Sequence, residues 1–238
     1  MIYILLPAYN EKKNLERIFV KLKKLRKKIK FKVILVDDCS TDNTEDLVKL
    51  KYDFKIIYIK HKSNKGLSLT LRSGFKRIEK IAKANDKVIT LDSDNTHPID
   101  LINKLNIELN NKDIVVASRF VKGSKVFGVT LFRSILSLGA KSLFKIFYPH
   151  ERLSDYTSNF RGYKFFLIKK ILKIQNFFEN EDFNITSKII VFFILKVKNL
   201  RLSEIAFKLR YDNKIGQSKI RLIKSILLTL KLLIKKPI

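Results

Sequence analysis

The sequence predicts an α/β domain built on a mostly parallel sheet with helices on both faces. Three observations carry that expectation. Short apolar runs of strand length alternate with amphipathic stretches through the first half of the chain. Polar and acidic clusters follow those runs, where sheets of this kind bind ligands. The chain has 238 residues, 46% of them hydrophobic and 30% charged, which suits one large domain with a real core. With 7 glycines and 4 prolines it is neither collagen-like nor proline-rich and disordered.

Taken in order, residues 2–6 are an apolar run ending at Pro7. Residues 10–28 read as an amphipathic helix, with Leu15, Ile18, Phe19, Leu22 and Leu25 at helical spacing. Residues 31–36 form a second buried strand, closed by Asp37 and Asp38. Ser40, Thr41, Asp42, Asn43 and Thr44 offer N-cap side chains to a helix over 45–50. Strands are expected over 54–59, 87–91 and 113–118, with helices over 66–84 and 98–109 between them. The second half differs. Residues 127–148 place apolar side chains almost all round a helix, leaving a narrow stripe of Arg133, Ser137, Lys141 and Lys145. A polar loop over 154–163 leads to a helix over 164–174. A further apolar helix covers 185–197, a strand covers 202–211, and a basic, apolar helix covers 220–234.

Lys and Arg total 50 against 22 acidic residues, a net charge of +28. Of this, +10 lies in residues 1–118 and +18 in residues 119–238. That balance points to polyanionic or anionic-lipid partners, with the second half as the contact. The lone cysteine, Cys39, excludes an internal disulfide framework and a cysteine-based zinc site. The N-terminus has no basic segment or cleavage site of a signal peptide. The longest uncharged apolar run, residues 189–195, is too short to span a bilayer, so the chain is expected to lie on a membrane rather than cross it.

Asp92 and Asp94 stand two apart at the end of an apolar strand. Their carboxylates can turn to one side and repel each other unless a cation lies between them. Mg²⁺ or Mn²⁺ commonly takes one or two carboxylates plus substrate phosphate oxygens. An Asp-x-Asp alone reads more readily as a pair of turn and cap residues. Asp38 and Glu11, at two other strand ends, share that ambiguity, and the joint placement is what gives the three positions weight.

Five segments stand in the order found in glycosyltransferase family 2: Leu5-Leu-Pro-Ala-Tyr-Asn-Glu11, Val36-Asp-Asp-Cys-Ser-Thr-Asp-Asn-Thr44, Asn64-Lys-Gly66 with Gly74, Asp92-Ser-Asp-Asn-Thr-His-Pro98 and Ala117-Ser-Arg-Phe120. Asp155-Tyr-Thr-Ser-Asn-Phe-Arg161 and Gly216-Gln-Ser-Lys219 resemble its dolichol-phosphate mannosyltransferase branch. The sequence departs from the family at Cys39 and Asn159, where glycine is usual. The resemblance implies a GT-A fold over residues 1–221, including an interface helix over 126–148, and a basic amphipathic helix over 222–238. By position, Pro7, Ala8, Tyr9, Glu11, Val36 and Asp38 would hold the base and ribose of a nucleotide-sugar. Asp92, Ser93 and Asp94 would line the diphosphate site, with Asp92, Asp94 and Thr96 as metal contacts. Arg119, Arg210 and Lys219 would neutralise phosphates.

The same resemblance implies a polyprenyl or dolichyl monophosphate acceptor, a hexose donor such as GDP-mannose, and an inverting transfer that uses Mg²⁺ or Mn²⁺. Arg133 and Ser137, four apart on one helix face, would grip the lipid phosphate together with Arg119. The apolar remainder of that helix faces either the core or acyl chains. The expected location is cytoplasmic, peripheral to the inner face of the membrane. An acceptor with a sugar hydroxyl, as in cell-surface polysaccharide synthesis, would instead need a base, for which Asp155 is the candidate. A nucleic-acid partner is not expected, because the basic residues form no recognised module and aromatic stacking motifs are absent.

Overall fold

The computed structural model describes residues 1–216 and 222–234. Strand β1 (Ile2–Ala8) lies mid-sheet, parallel to β2 (Phe31–Asp37) on one side and to β4 (Lys87–Thr90) on the other, with Ile4 opposite both Val33 and Ile89. Strand β3 (Lys55–Lys60) extends the sheet beyond β2. Strand β7 (Arg161–Lys164) is antiparallel to β4 and to β5 (Ile114–Ser118), and β8 (Leu202–Ala206) runs parallel to β5. The order is β3-β2-β1-β4-β7-β5-β8.

Because β1 is buried on both faces, it reads as a continuous apolar run, yet its side chains still alternate. Ile2, Ile4 and Leu6 join a core with α1 (Lys12–Arg26) and α4 (Leu101–Glu108). Tyr3 and Leu5 join the opposite core, with α3 (Gly66–Glu79), α6 (Phe165–Leu172) and α7 (Ile185–Lys196). Gly74 sets how closely α3 approaches β1. A Cβ there would lie 2.2 Å from Leu5 Cδ1.

The expected polar loop over 154–163 instead runs into β7. Arg161 is fully buried, and its guanidinium donates to the carbonyl oxygens of Tyr156 (2.6 Å) and Thr186 (2.5 Å). Gly162 has room only for hydrogen, since a Cβ would meet Leu109 Cδ1 at 2.6 Å. A buried arginine followed by a glycine hides this strand from any hydropathy reading. The expected single strand over 202–211 breaks at Phe207. Its second part, β9 (Lys208–Arg210), pairs in parallel with β6 (Lys125–Phe127) in a separate two-stranded sheet. The helix expected over 45–50 shrinks to one turn, α2 (Asp46–Lys49).

Helix α5 (Leu131–Phe147) starts later than expected, with the Thr130 hydroxyl as its N-cap. Of the two readings open for it, the structure favours the exposed one. Phe144 is its buried residue, whereas Leu131, Phe132, Ile135, Leu138, Ile146 and Phe147 are all more than half exposed. Helix α8 (Leu222–Ile234) packs beside it, and the Tyr148 hydroxyl donates to Leu232 O at 2.7 Å. Ile226, Leu227, Leu230 and Ile234 of α8 are exposed as well. Among the described residues, no helix is long and apolar enough to cross a membrane.

Candidate active site

The carboxyl ends of β1, β2, β4 and β5 open into one cleft of about 910 Å³. Its floor is the loop after β4. Asp92 accepts from Asn159 Nδ2 at 2.8 Å, so one of the two departures from the family pattern directly orients the first carboxylate. The Asp92 backbone N–H donates to His97 Nδ1 (3.2 Å). In the neutral ring that leaves the proton on Nε2, which lies 3.8 Å from Asp92 Oδ2. His97 is itself fixed by stacking on Phe160, centroids 5.0 Å apart, and by the edge of Phe207.

Asp94 accepts from the Thr96 hydroxyl at 2.7 Å on one oxygen and from Lys214 Nζ at 2.9 Å on the other. Thr96 is buried and its hydroxyl is directed to Asp94. The hydroxyl orients this carboxylate, and Thr96 lines the cleft with its oxygen lone pairs still open to a cation. Burial works to raise the Asp94 carboxyl, but Lys214 and His97 outweigh it and hold the group below the ordinary carboxylate range. Asp92 moves the other way. Depth in the cleft raises it, and the neighbouring Asp94 charge adds to the rise.

This donor set fits a hard divalent cation. Two carboxylates of unlike proton affinity line the same cleft, one oxygen already attracts an ammonium, and the buried hydroxyl of Ser93, the residue between them in sequence, has no hydrogen-bond partner. Among the described residues no group of three or more His, Cys, Asp or Glu side chains forms a complete metal cage. Further ligands would therefore come from substrate oxygens, as is usual for Mg²⁺.

Pro7, Ala8, Tyr9, Glu11, Asp38, Ser93 and Arg119 line the same cleft. Asp38 is heavily engaged. It accepts from the backbone N–H groups of Lys65 and Gly66 at the start of α3 and pairs with His61 Nδ1 at 2.7 Å. Four expected positions lie elsewhere. Val36 is fully buried in the core beneath, so its side chain cannot touch a base or ribose. Arg210 points away, paired with Asp212 at 2.7 Å and placed over the Phe127 ring. Arg133 and Ser137 stand outside the cleft on α5. Arg133 reaches its rim by donating to the hydroxyl of Tyr211, which does line the cleft. The Ser137 hydroxyl is buried without a partner. Lys219 lies outside the described residues.

Asp155 is not the open base that the hydroxyl-acceptor reading needs. It is fully buried and receives Arg119 Nε (2.8 Å) and Nη2 (2.7 Å), as well as the backbone N–H groups of Arg119, Thr157 and Ser158. Burial alone would raise its pKa, but Arg119, with Arg161 behind it, brings it down to about 2. Arg119 is thereby fixed at the cleft wall, and Nη1 is the nitrogen not engaged by Asp155 or Thr157.

Sequence reasoning assigned no role to His97 or Lys214, nor to Glu181 and Asp182, which line the far wall of the cleft. His97 sits inside a quoted motif and was within reach. Lys214 is one basic residue among many, 120 positions from its partner.

Residues 3–172 match the family model described as glycosyl transferase family 2. The dolichol-phosphate mannosyltransferase of Pyrococcus furiosus is 31% identical over 223 residues, 92% of this chain and 58% of that protein. The undecaprenyl-phosphate mannosyltransferase of Micrococcus luteus is 27% identical over 67% of this chain and 65% of its own. The chain thus spans somewhat less than two thirds of the length of these relatives. Among solved structures, glucosyl-3-phosphoglycerate synthase from Mycobacterium tuberculosis, crystallised with Mn²⁺, UDP and glucosyl-3-phosphoglycerate, superposes with a TM-score of 0.69. It covers 98% of this chain and 79% of that one at 15% identity, a likeness of fold.

Proposed function

The chain belongs to glycosyl transferase family 2, in its dolichol-phosphate mannosyltransferase-like branch, and from that premise we propose that it transfers a hexose from a nucleotide-sugar to a polyprenyl monophosphate. The observation that carries the reading is the Asp92–Asp94 pair on the floor of a cleft whose wall holds Arg119. An acidic pair that gathers a cation, beside a fixed guanidinium, suits a diphosphate leaving group. Asp92 and Asp94 would hold Mg²⁺ or Mn²⁺, which when bound supplies positive charge to the departing diphosphate. An acceptor phosphate oxygen forms the new bond at the sugar's anomeric carbon, while the bond to the diphosphate breaks on the opposite face. The configuration inverts, and no proton has to be removed, because a phosphate monoester is already ionised near neutral pH. GDP-mannose is the donor this reading favours, in line with the mannosyltransferases named above.

The acceptor phosphate is assigned to α5. Arg133 touches the cleft rim through Tyr211, the Ser137 hydroxyl lies one turn along, and Lys141 follows at the next turn. Lys141 Nζ lies 4.8 Å from the Phe120 centroid, and Arg119 packs on the same ring. Cations beside an exposed apolar face suit a lipid with an anionic head. Arg133→Ala is expected to slow transfer to polyprenyl phosphate by about ten- to a hundredfold through loss of one charge-assisted contact, with nucleotide binding nearly intact. Asp182→Asn, on the far wall, is expected to retain activity on that acceptor. Full activity in the arginine variant together with a dead Asp182→Asn would replace this reading by a hydroxyl acceptor with Asp182 as base.

The membrane surface follows from the same helices. The protein is expected to sediment with vesicles of anionic phospholipid at low salt and to be partly released at high salt, because screening weakens surface attraction. No sedimentation at any ionic strength would remove the peripheral, inner-face assignment.

A further inference from the structure

We propose that Lys214 is a donor-binding residue that competes with the divalent cation for Asp94 and passes to the diphosphate when donor and cation bind together. The inference rests on the donor reading above and adds to it a residue that no motif marks.

The geometry is that of a fixed tether with a movable head. On one side, the Arg210 N–H donates to Thr96 O at 3.0 Å. On the other, Ile215 is held by Asn14 in both directions, its N–H donating to Asn14 Oδ1 (3.1 Å) and its carbonyl accepting from Asn14 Nδ2 (3.0 Å). Between them, Asn95 Nδ2 reaches Asn213 O at 3.4 Å. The backbone around Lys214 is therefore moored to the loop after β4 and to α1. The Lys214 ammonium lies 5.4 Å from the Tyr211 ring centroid, at the end of a flexible four-carbon stem and as a compact charge without directional demands.

That ammonium lies 2.9 Å from Asp94 Oδ2, with the lysine side chain 10% and the aspartate side chain 14% exposed. A divalent ion on Asp94 would stand within a few ångströms of this ammonium, and their repulsion in a poorly solvated cleft weakens the lysine's hold on the carboxylate. Lys214 therefore gives up Asp94 when the divalent ion takes it. A lysine left unpaired at this depth would be costly. Glu11 in the same cleft also acts on its charge, but the diphosphate that arrives with the metal brings the greater negative charge to it. Lys214 thus keeps its charge beside the leaving group, and the pair Asp94–Lys214 disfavours metal alone relative to metal with nucleotide.

Calorimetric titrations test this on the wild type, Lys214→Met and Lys214→Arg, with Mn²⁺ alone and with GDP or UDP in the presence of Mn²⁺. Lys214→Met should bind Mn²⁺ alone about tenfold or more tightly than the wild type, because the internal competitor is gone. It should bind the nucleoside diphosphate with Mn²⁺ about tenfold or more weakly, the effect of one lost charge-assisted contact. Lys214→Arg keeps the charge and should follow the wild type in Mn²⁺ affinity. The gain in Mn²⁺ affinity expected of the methionine variant is itself a result that a misfolded protein would not give. A Lys214→Met protein that binds Mn²⁺ no more tightly, or the nucleotide no more weakly, overturns the proposal. A wild type that binds neither nucleotide with Mn²⁺ overturns the donor reading itself, and the inference with it.

Discussion

Asp94→Ala is expected to reduce transfer by about 10²–10³-fold, the scale of losing one preorganised group that stabilises leaving-group charge. It should also abolish the dependence of nucleotide-sugar binding on Mn²⁺ or Mg²⁺. The argument starts from position. Asp94 lies two residues past Asp92 on the cleft floor, one of its oxygens is oriented by Thr96, and the other already attracts a cation, Lys214. Its pKa is held below the ordinary range, so it is ionised at any working pH. Asp92 is raised, by its burial and by Asp94 itself, so of the two Asp94 is the carboxylate that would anchor a metal on the proposed reading. Removing Asp94 therefore removes both the anchor and the partner of Lys214. Turnover measured across a Mn²⁺ titration checks the prediction, and a wild type that retains full turnover in EDTA would sink it.

The floor of this site was legible because its information is local. Asp92 and Asp94 follow an apolar run, and the alternation of such runs with amphipathic stretches gives the parallel part of the sheet almost residue by residue. Cys39 shows why the family prefers glycine at its position. Its φ is +68°, the left-handed region where a side chain carries a penalty, and the chain tolerates it in a loop. What the sequence hid is pairing across distance. Strand β7 carries a fully buried arginine whose bonds run to carbonyls at Tyr156 and Thr186, so it looks polar. Lys214 looks like one solvated lysine of a lysine-rich chain until the fold brings it to Asp94. Val36 sits in a genuine family motif, but the alternation of β2 turns its side chain into the core. A motif position fixes the backbone's place in the cleft, and the direction of each side chain follows from the strand.

The same hidden pairing changes what Asp155 can be asked to do. Asp155→Asn is expected to cost about 3–5 kcal/mol of folding stability, the usual penalty for removing one partner of a buried ion pair. Asparagine keeps the shape, but it leaves Arg119 without its countercharge and replaces by an NH₂ donor one of the two oxygens that accept the backbone N–H groups of Arg119 on one side and of Thr157 and Ser158 on the other. The pH dependence has a definite sign. The carboxyl is lowered from 3.8 to about 2 on folding, so its contribution is complete above about pH 4 and is lost as the pH falls toward 2. Denaturant unfolding at neutral pH should show the full loss in the variant. The gap between the two proteins should narrow as the buffer is taken below pH 4. A group held ionised near pH 2 is also a poor proton acceptor at neutral pH. In the folded fraction of Asp155→Asn, assayed at low temperature and normalised to folded protein, any loss of transfer should come through the loosened Arg119, with the pH profile of the wild type kept. A variant as stable as the wild type whose profile has lost the limb of a titrating base present in the wild type would return Asp155 to the role of base.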